Sequence, residues 1–293
     1  MHRILALVSL LTALLAVGAC TTGATPSGSP PPSSAPSGPA SSAAPASPSP
    51  PPSATSSAPA VPPAPKLSAC YRLGLKQLTN PTNHSKPVGC GQRHDSLTIF
   101  VGRLHTVVDG HSVAVDSATV QRQLARTCPR KLAGYVGGSP ADRQLSRFKV
   151  VWFSPTLAQA DRGADWFRCD LVGFAAQDTL LGLPSAPQIH GALDRSDGLD
   201  RFGLCGTAAP GASNFARVIC SHQHSWKAIA TIHLAGGPTY PGVGTVRGAG
   251  DSACKARVKA ISGYTLKLSY GWEWPSADQW KAGQHYGYCW APG

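Results

Sequence analysis

The alternation of apolar and polar positions sorts the chain into a short set of elements, and the set occurs twice. Ser96 to Thr106 and Trp226 to Leu234 are β-rich apolar stretches. A helical pattern follows each. From Ser117 to about Ala133, the residues Val120, Leu124, Cys128 and Leu132 fall four apart, the spacing of a helix with one buried stripe. Its counterpart starts at an Asp251 cap and carries Cys254, Val258 and Ile261. Phe148 to Phe153 and Leu266 to Trp274 then read as strands that end at Ser-Pro and Trp-Pro. A final strand carries Cys169 or Cys289. The expected fold class is α+β: two similar small domains, residues 66–185 and 186–293, each an antiparallel sheet packed with one helix.

Ahead of these elements the pattern changes. Met1-His2-Arg3 gives a short basic start, and Ile4 to Val17 is almost unbroken apolar sequence. The run is too short to span a bilayer stably but fits a secretory signal, residues 1–19. It ends in Val17-Gly18-Ala19-Cys20, which resembles the bacterial lipobox. That resemblance implies cleavage before Cys20, diacylglycerol on its sulfur and a fatty acyl group such as palmitate on the new N-terminus. Residues 20–65 are then expected to be a disordered linker of Pro, Ser, Ala, Thr and Gly. They carry no charge and cannot bury enough apolar surface to fold. The expected location is the extracellular face of the cell membrane, with a lipid anchor as the membrane partner.

The cysteines carry the repeat. Cys70, Cys90, His94, Cys128 and Cys169 form one series; Cys205, Cys220, His224, Cys254 and Cys289 form the other. Both have Cys-x3-His. Trp152, Pro155, Gln159, Gly163, Trp166 and Cys169 match Trp272, Pro275, Gln279, Gly283, Tyr286 and Cys289 at a constant offset. Duplication should close each copy on itself, and within a copy first-with-second and third-with-fourth is the favoured order: Cys70–Cys90, Cys128–Cys169, Cys205–Cys220 and Cys254–Cys289. Each bridge is worth about 2–4 kcal/mol to a thin core. Zinc is disfavoured because no Cys-x2-Cys pair occurs, and nine cysteines do not suit a reducing cytosol.

These residues resemble the actinobacterial septum-formation domain family, with its early cysteine, Cys-x3-His before a β-rich stretch, mid-domain cysteine and closing Pro…Trp-x2-Gly…Cys. The second copy fits best, through Cys220-Ser221-His222-Gln223-His224 and Pro275 to Gly283 and Cys289. The first copy has Ala160 where the second has Trp280, and Leu97 and Lys227 stand where the family often carries Glu. The resemblance implies a role at the division site or envelope and no particular reaction.

Candidate chemistry is sparse. His94 and His224 suit either a general base or a polar side chain tied to a backbone carbonyl beside a disulfide. His222 and His224 make His-x-His, which on a strand places both rings on one face. Trp274 and Trp290 have no aromatic counterpart in the first copy, so they are candidates for binding, by stacking on glycan, as well as for core. No nucleophile elbow or phosphate-binding glycine loop occurs, so no catalytic residue, cofactor or metal is expected. The 26 Lys and Arg against 14 Asp and Glu give a charge of +12. Arg122, Arg126, Arg130 and Lys131 line the first helix, and Lys255, Arg257 and Lys259 the second. Outside the cell, acidic wall polymers and lipid headgroups are the available counterparts, and nucleic acid is not. The chain reads as a non-catalytic, lipid-anchored envelope protein that binds at the wall or to division proteins. The alternative is an envelope enzyme acting on wall glycan or peptide with a His base.

Overall fold

A computed structural model describes residues 60–263 and 268–293. The expected signal peptide, the lipidated Cys20, most of the linker and the start of the Leu266 strand lie outside the described residues. The described chain forms one compact unit. In chain order its elements are β1 (Cys70–Tyr71), β2 (Ser96–Arg103), the small hairpin β3 (Val107–Val108) and β4 (His111–Ser112), α1 (Ala118–Val136) and α2 (Pro140–Leu145). There follow β5 (Phe148–Phe153), α3 (Leu157–Ala160), β6 (Trp166–Ala176), β7 (Thr179–Leu180), α4 (Ala186–Ile189) and α5 (Gly198–Phe202). The chain closes with β8 (Leu204–Gly206), β9 (Arg217–Ile219), β10 (Trp226–His233), α6 (Val243–Ile261), β11 (Gly271–Glu273), α7 (Ala277–Lys281) and β12 (Tyr286–Pro292). The fold is mixed, with antiparallel sheet and four disulfides.

Each half is built on a three-strand ladder with a helix laid over it. β6 pairs with β2 and β5, and β12 pairs with β10 and β11. The details recur. A bulge between Thr98 and Phe100 in β2 has its counterpart between Ala228 and Ala230 in β10. Trp152 faces Cys169 as Trp272 faces Cys289. One disulfide of each half, Cys128–Cys169 or Cys254–Cys289, ties the helix to the central strand; Cys70–Cys90 and Cys205–Cys220 close the entry loops.

Two separately closed domains are not what forms. Ten strands make one continuous sheet in the order β1-β2-β6-β9-β8-β10-β12-β11, with β5 and β7 also on β6. The join is narrow: Ala176 pairs with Val218, and Ser146 bridges to Gly203. Packing reinforces it. Leu145 of the first half shares a buried cluster with Leu204, Ala228, Tyr288 and Trp290. Gln144 accepts a hydrogen bond from the Thr231 hydroxyl at 2.9 Å. A hydrophobic surface on each half is therefore satisfied only by the other.

α1 begins at its Ser117 cap, whose Oγ accepts from the Val120 N–H. Val120, Leu124 and Cys128 are fully buried. α6 departs from expectation, starting at Val243 with Asp251 in its middle. Gly244, Gly248 and Gly250 look like helix breakers in sequence, yet Val246, Gly250, Cys254 and Val258 continue the buried four-residue stripe. Tertiary packing outweighs propensity here, because a Cβ on Gly250 would lie 2.0 Å from Cζ2 of Trp272. The glycine makes room for the indole. β11 spans Gly271–Glu273, and residues 268–270 and Trp274 of the expected Leu266–Trp274 strand lie outside it.

Gly250→Leu is expected to destabilise the protein by about 1–3 kcal/mol through overpacking against Trp272. Gly248→Ala, with nothing within 4 Å of its Cβ position, is expected to stabilise by about 0.5–1 kcal/mol. Thermal melts of the two variants check the pair.

Candidate functional site

β11 lies at the end of the sheet and is flanked by two depressions, both bordered by Trp272 and Trp274. The larger, about 740 Å³, runs between α6 and β11 and is lined by Gly244, Arg247, Gly248, Asp251 and Tyr270 besides the two indoles. The smaller, about 280 Å³, is lined by Pro210, Gly211, Phe215 and Glu273 as well. The local chain fixes this arrangement. Ser276 caps α7 through the Gln279 N–H, and the Tyr240 hydroxyl donates to the Pro275 carbonyl at 3.2 Å. Trp274 is thereby held half-buried beside the α6 face.

The polar groups around it are paired but accessible. The Arg247 guanidinium lies 5.4 Å from the Trp274 ring centroid, and the Tyr270 hydroxyl reaches both Asp251 oxygens at 3.2 Å. Desolvation, then the Asp251 carboxylate, raises the Tyr270 pKa. Trp272 is buried and donates Nε1–H to the Val246 carbonyl at 3.3 Å. An indole face beside hydrogen-bonding groups on a groove wall suits a ligand with one apolar face and several hydroxyls or amides. Of this set, sequence inspection singles out only Trp274 for binding. Arg247 is missed because α6 is read as starting at Asp251, which removes its first turns from view; Tyr270, just before β11, reads in sequence only as one more aromatic of an expected strand. The four-residue stripe back to Val246 is the signal that would have recovered Arg247.

Other expected site residues fall elsewhere. Trp290 is fully buried, its Nε1–H donating to Glu273 Oε2 at 3.1 Å and its ring edge-on to Phe215 at 5.3 Å. It is core, and its expected place in binding is withdrawn. Glu273 also pairs with Arg217. His94 is buried as well, with Nδ1 2.9 Å from the Gln92 carbonyl oxygen. His224 repeats that contact with the His222 carbonyl at 2.7 Å while keeping partial exposure. Both rings thus brace the turn before a strand. His222 and His224 lie in that turn and not on a strand. Among the described residues no group of three His, Cys, Asp or Glu side chains comes together to hold a metal.

Trp290→Ala is expected to cost about 3–5 kcal/mol, as for a buried Trp cut back in a core. Trp274→Ala is expected to cost about 1 kcal/mol, because its ring keeps solvent contact. Denaturant unfolding of both variants separates the core indole from the cleft indole.

No curated protein and no solved structure matches the chain. A family model described as septum formation matches residues 112–289 in one stretch that takes in α1, the junction and the whole second half up to its last cysteine. The match covers more than half of the chain and includes both helix-to-strand disulfides and the Trp274 cleft. The chain belongs to the septum-formation family.

Proposed function

We propose that this protein is a lipid-anchored component of the cell envelope that binds its target without transforming it. The family's description supports a role in cell division or the envelope. The sequence before the folded unit supports the anchoring: a short signal, the lipobox ending at Cys20, and an uncharged Pro-rich linker long enough to hold the fold away from the lipid. Among the described residues no helix is long and apolar enough to cross a membrane. The shared register and bulge of the two halves support an origin by tandem duplication.

The observation that carries the binding function is the Trp274 cleft. It has an accessible indole, an arginine, a tyrosine–aspartate pair and a free sheet end, and it lies in the half without a buried charge pair. Wall glycan is the ligand class that best fits, with acidic wall polymers and division proteins as further partners. The alternative of a base-catalysed reaction draws less support, since His94 is buried and, among the described residues, neither ring hydrogen-bonds a side-chain nucleophile or acid.

Full-length protein is expected to be retained by purified cell-wall sacculi at low salt and still at about 1 M salt, where the Debye length is only about 3 Å. Trp274→Ala is expected to weaken retention about tenfold or more, with folding checked by its melting curve. Retention unaffected by Trp274→Ala, or no retention at low salt, would overturn the assignment.

A further inference from the structure

A second recess lies in the first half, between α1 and the β2–β6 ladder. It encloses about 550 Å³ and is lined by Phe100, Gly102, Arg103, His105, Gln123, Leu124, Thr127, Arg130, Lys131 and Phe167. The floor is aromatic, with Phe100 and Phe167 centroids 5.7 Å apart. Gly102 keeps it open: a Cβ there would lie 2.7 Å from Phe167 and 2.8 Å from Phe100 ring carbons.

The rim is cationic and lacks acidic lining. Lys131 Nζ sits 4.0 Å from the Phe100 centroid, and the Arg130 guanidinium has no hydrogen-bond or ion-pair partner among the described residues. Arg103 meets Asp165 at 2.5 Å, an exposed pair that an incoming anion can share. Gln123 is engaged with both backbone groups of His105. The second half does not repeat the recess. By the alignment of strands and helices, Ala230 and Ile232 replace Phe100 and Gly102, Ala256 replaces Arg130, and Gly287 replaces Phe167. In that half the Trp272 ring occupies the space beside Gly287.

We infer that this recess is a binding site for a segment of an anionic polymer, with Arg103, Arg130 and Lys131 meeting its charged groups and the two phenylalanines its backbone. Concavity favours a chain over a flat bilayer, because the cations line a depression that also contains the two phenylalanines. The inference deepens the envelope function by placing its acidic polymers on the first half, and it rests on that reading only for the polymer's origin. The shared chemistry is a repeated anion, phosphate or carboxylate.

The test is titration of full-length protein with inorganic polyphosphate and with polygalacturonate over a series of salt concentrations, beside phosphatidylglycerol vesicles. At least one polymer is expected to bind, and which one names the anion. Replacing both Arg130 and Lys131 with Gln is expected to weaken it about tenfold or more. The same change should flatten the plot of log K against log salt by about two units, one per lost cation. Gly102→Ala, which changes no charge, is expected to weaken binding with the salt slope unchanged. Arg122→Gln with Arg126→Gln, on the same helix outside the recess, is expected to change little. Equal loss from that outer pair would overturn the recess in favour of a diffuse basic face. Binding to vesicles but to neither polymer would overturn it in favour of a membrane surface, and binding to none would overturn it outright. Sacculus retention through Trp274 is a separate readout, so the two assignments fail independently.

Discussion

The covalent tie between one helix and the central strand beneath it organises this molecule. Cys128 and Cys254 sit at the centre of the buried stripes of α1 and α6, and their partners Cys169 and Cys289 lie on β6 and β12, the strands that carry the most pairing in each half. Once that distance is fixed, the helix can slide or roll very little. The residues one turn away must then fill a gap of set width. Leu124 does so in the first half. In the second, Gly250 and the Trp272 indole share the same space. Two different fillings of one frame leave different surfaces: an aromatic cleft beside β11, and a cationic recess beside β2.

The halves differ as sharply at the strand positions that follow the bridging cysteine pattern. β6 buries Arg168 and Asp170 as an ion pair at 3.2 Å, with the Ser96 and Thr98 hydroxyls donating to the carboxylate at 3.0 and 2.8 Å. Arg168 also lies 3.8 Å from the Tyr71 ring centroid. The matching positions of β12 are Tyr288 and Trp290, which pack against Leu145 of the first half. A buried pair needs its hydrogen bonds satisfied locally, whereas two large aromatic rings need area to cover. The second half therefore obtains part of its core from across the junction, and neither half has a complete hydrophobic surface alone.

Much of each half was legible in the sequence because it rests on short-range periodicity. The stripe Val120-Leu124-Cys128 names the buried face of α1, the apolar runs name β2, β5 and β10, and the duplicated cysteine order confines pairing to each half, where the favoured first-with-second and third-with-fourth bridges form. His94 and His224 were legible only as alternatives, since a ring that braces a turn and a ring that takes a proton have the same sequence. The α6 start was hidden, because three glycines signal a break, and the indole that requires the one at Gly250 comes from a distant strand.

What the sequence determined by itself, then, is whatever depends on residues a few positions apart: which face of a helix is apolar, which strand alternates, and which cysteines recur. The tertiary structure decided what depends on distant partners. It sent Trp290 into the junction and left Trp274 at the surface, although both are unmatched aromatics of the same half. It joined the two copies into one sheet through Ala176 and Val218. Neither outcome has a local signature, because burial of a large side chain is set by whichever surface closes over it, and that surface comes from the other half of the chain.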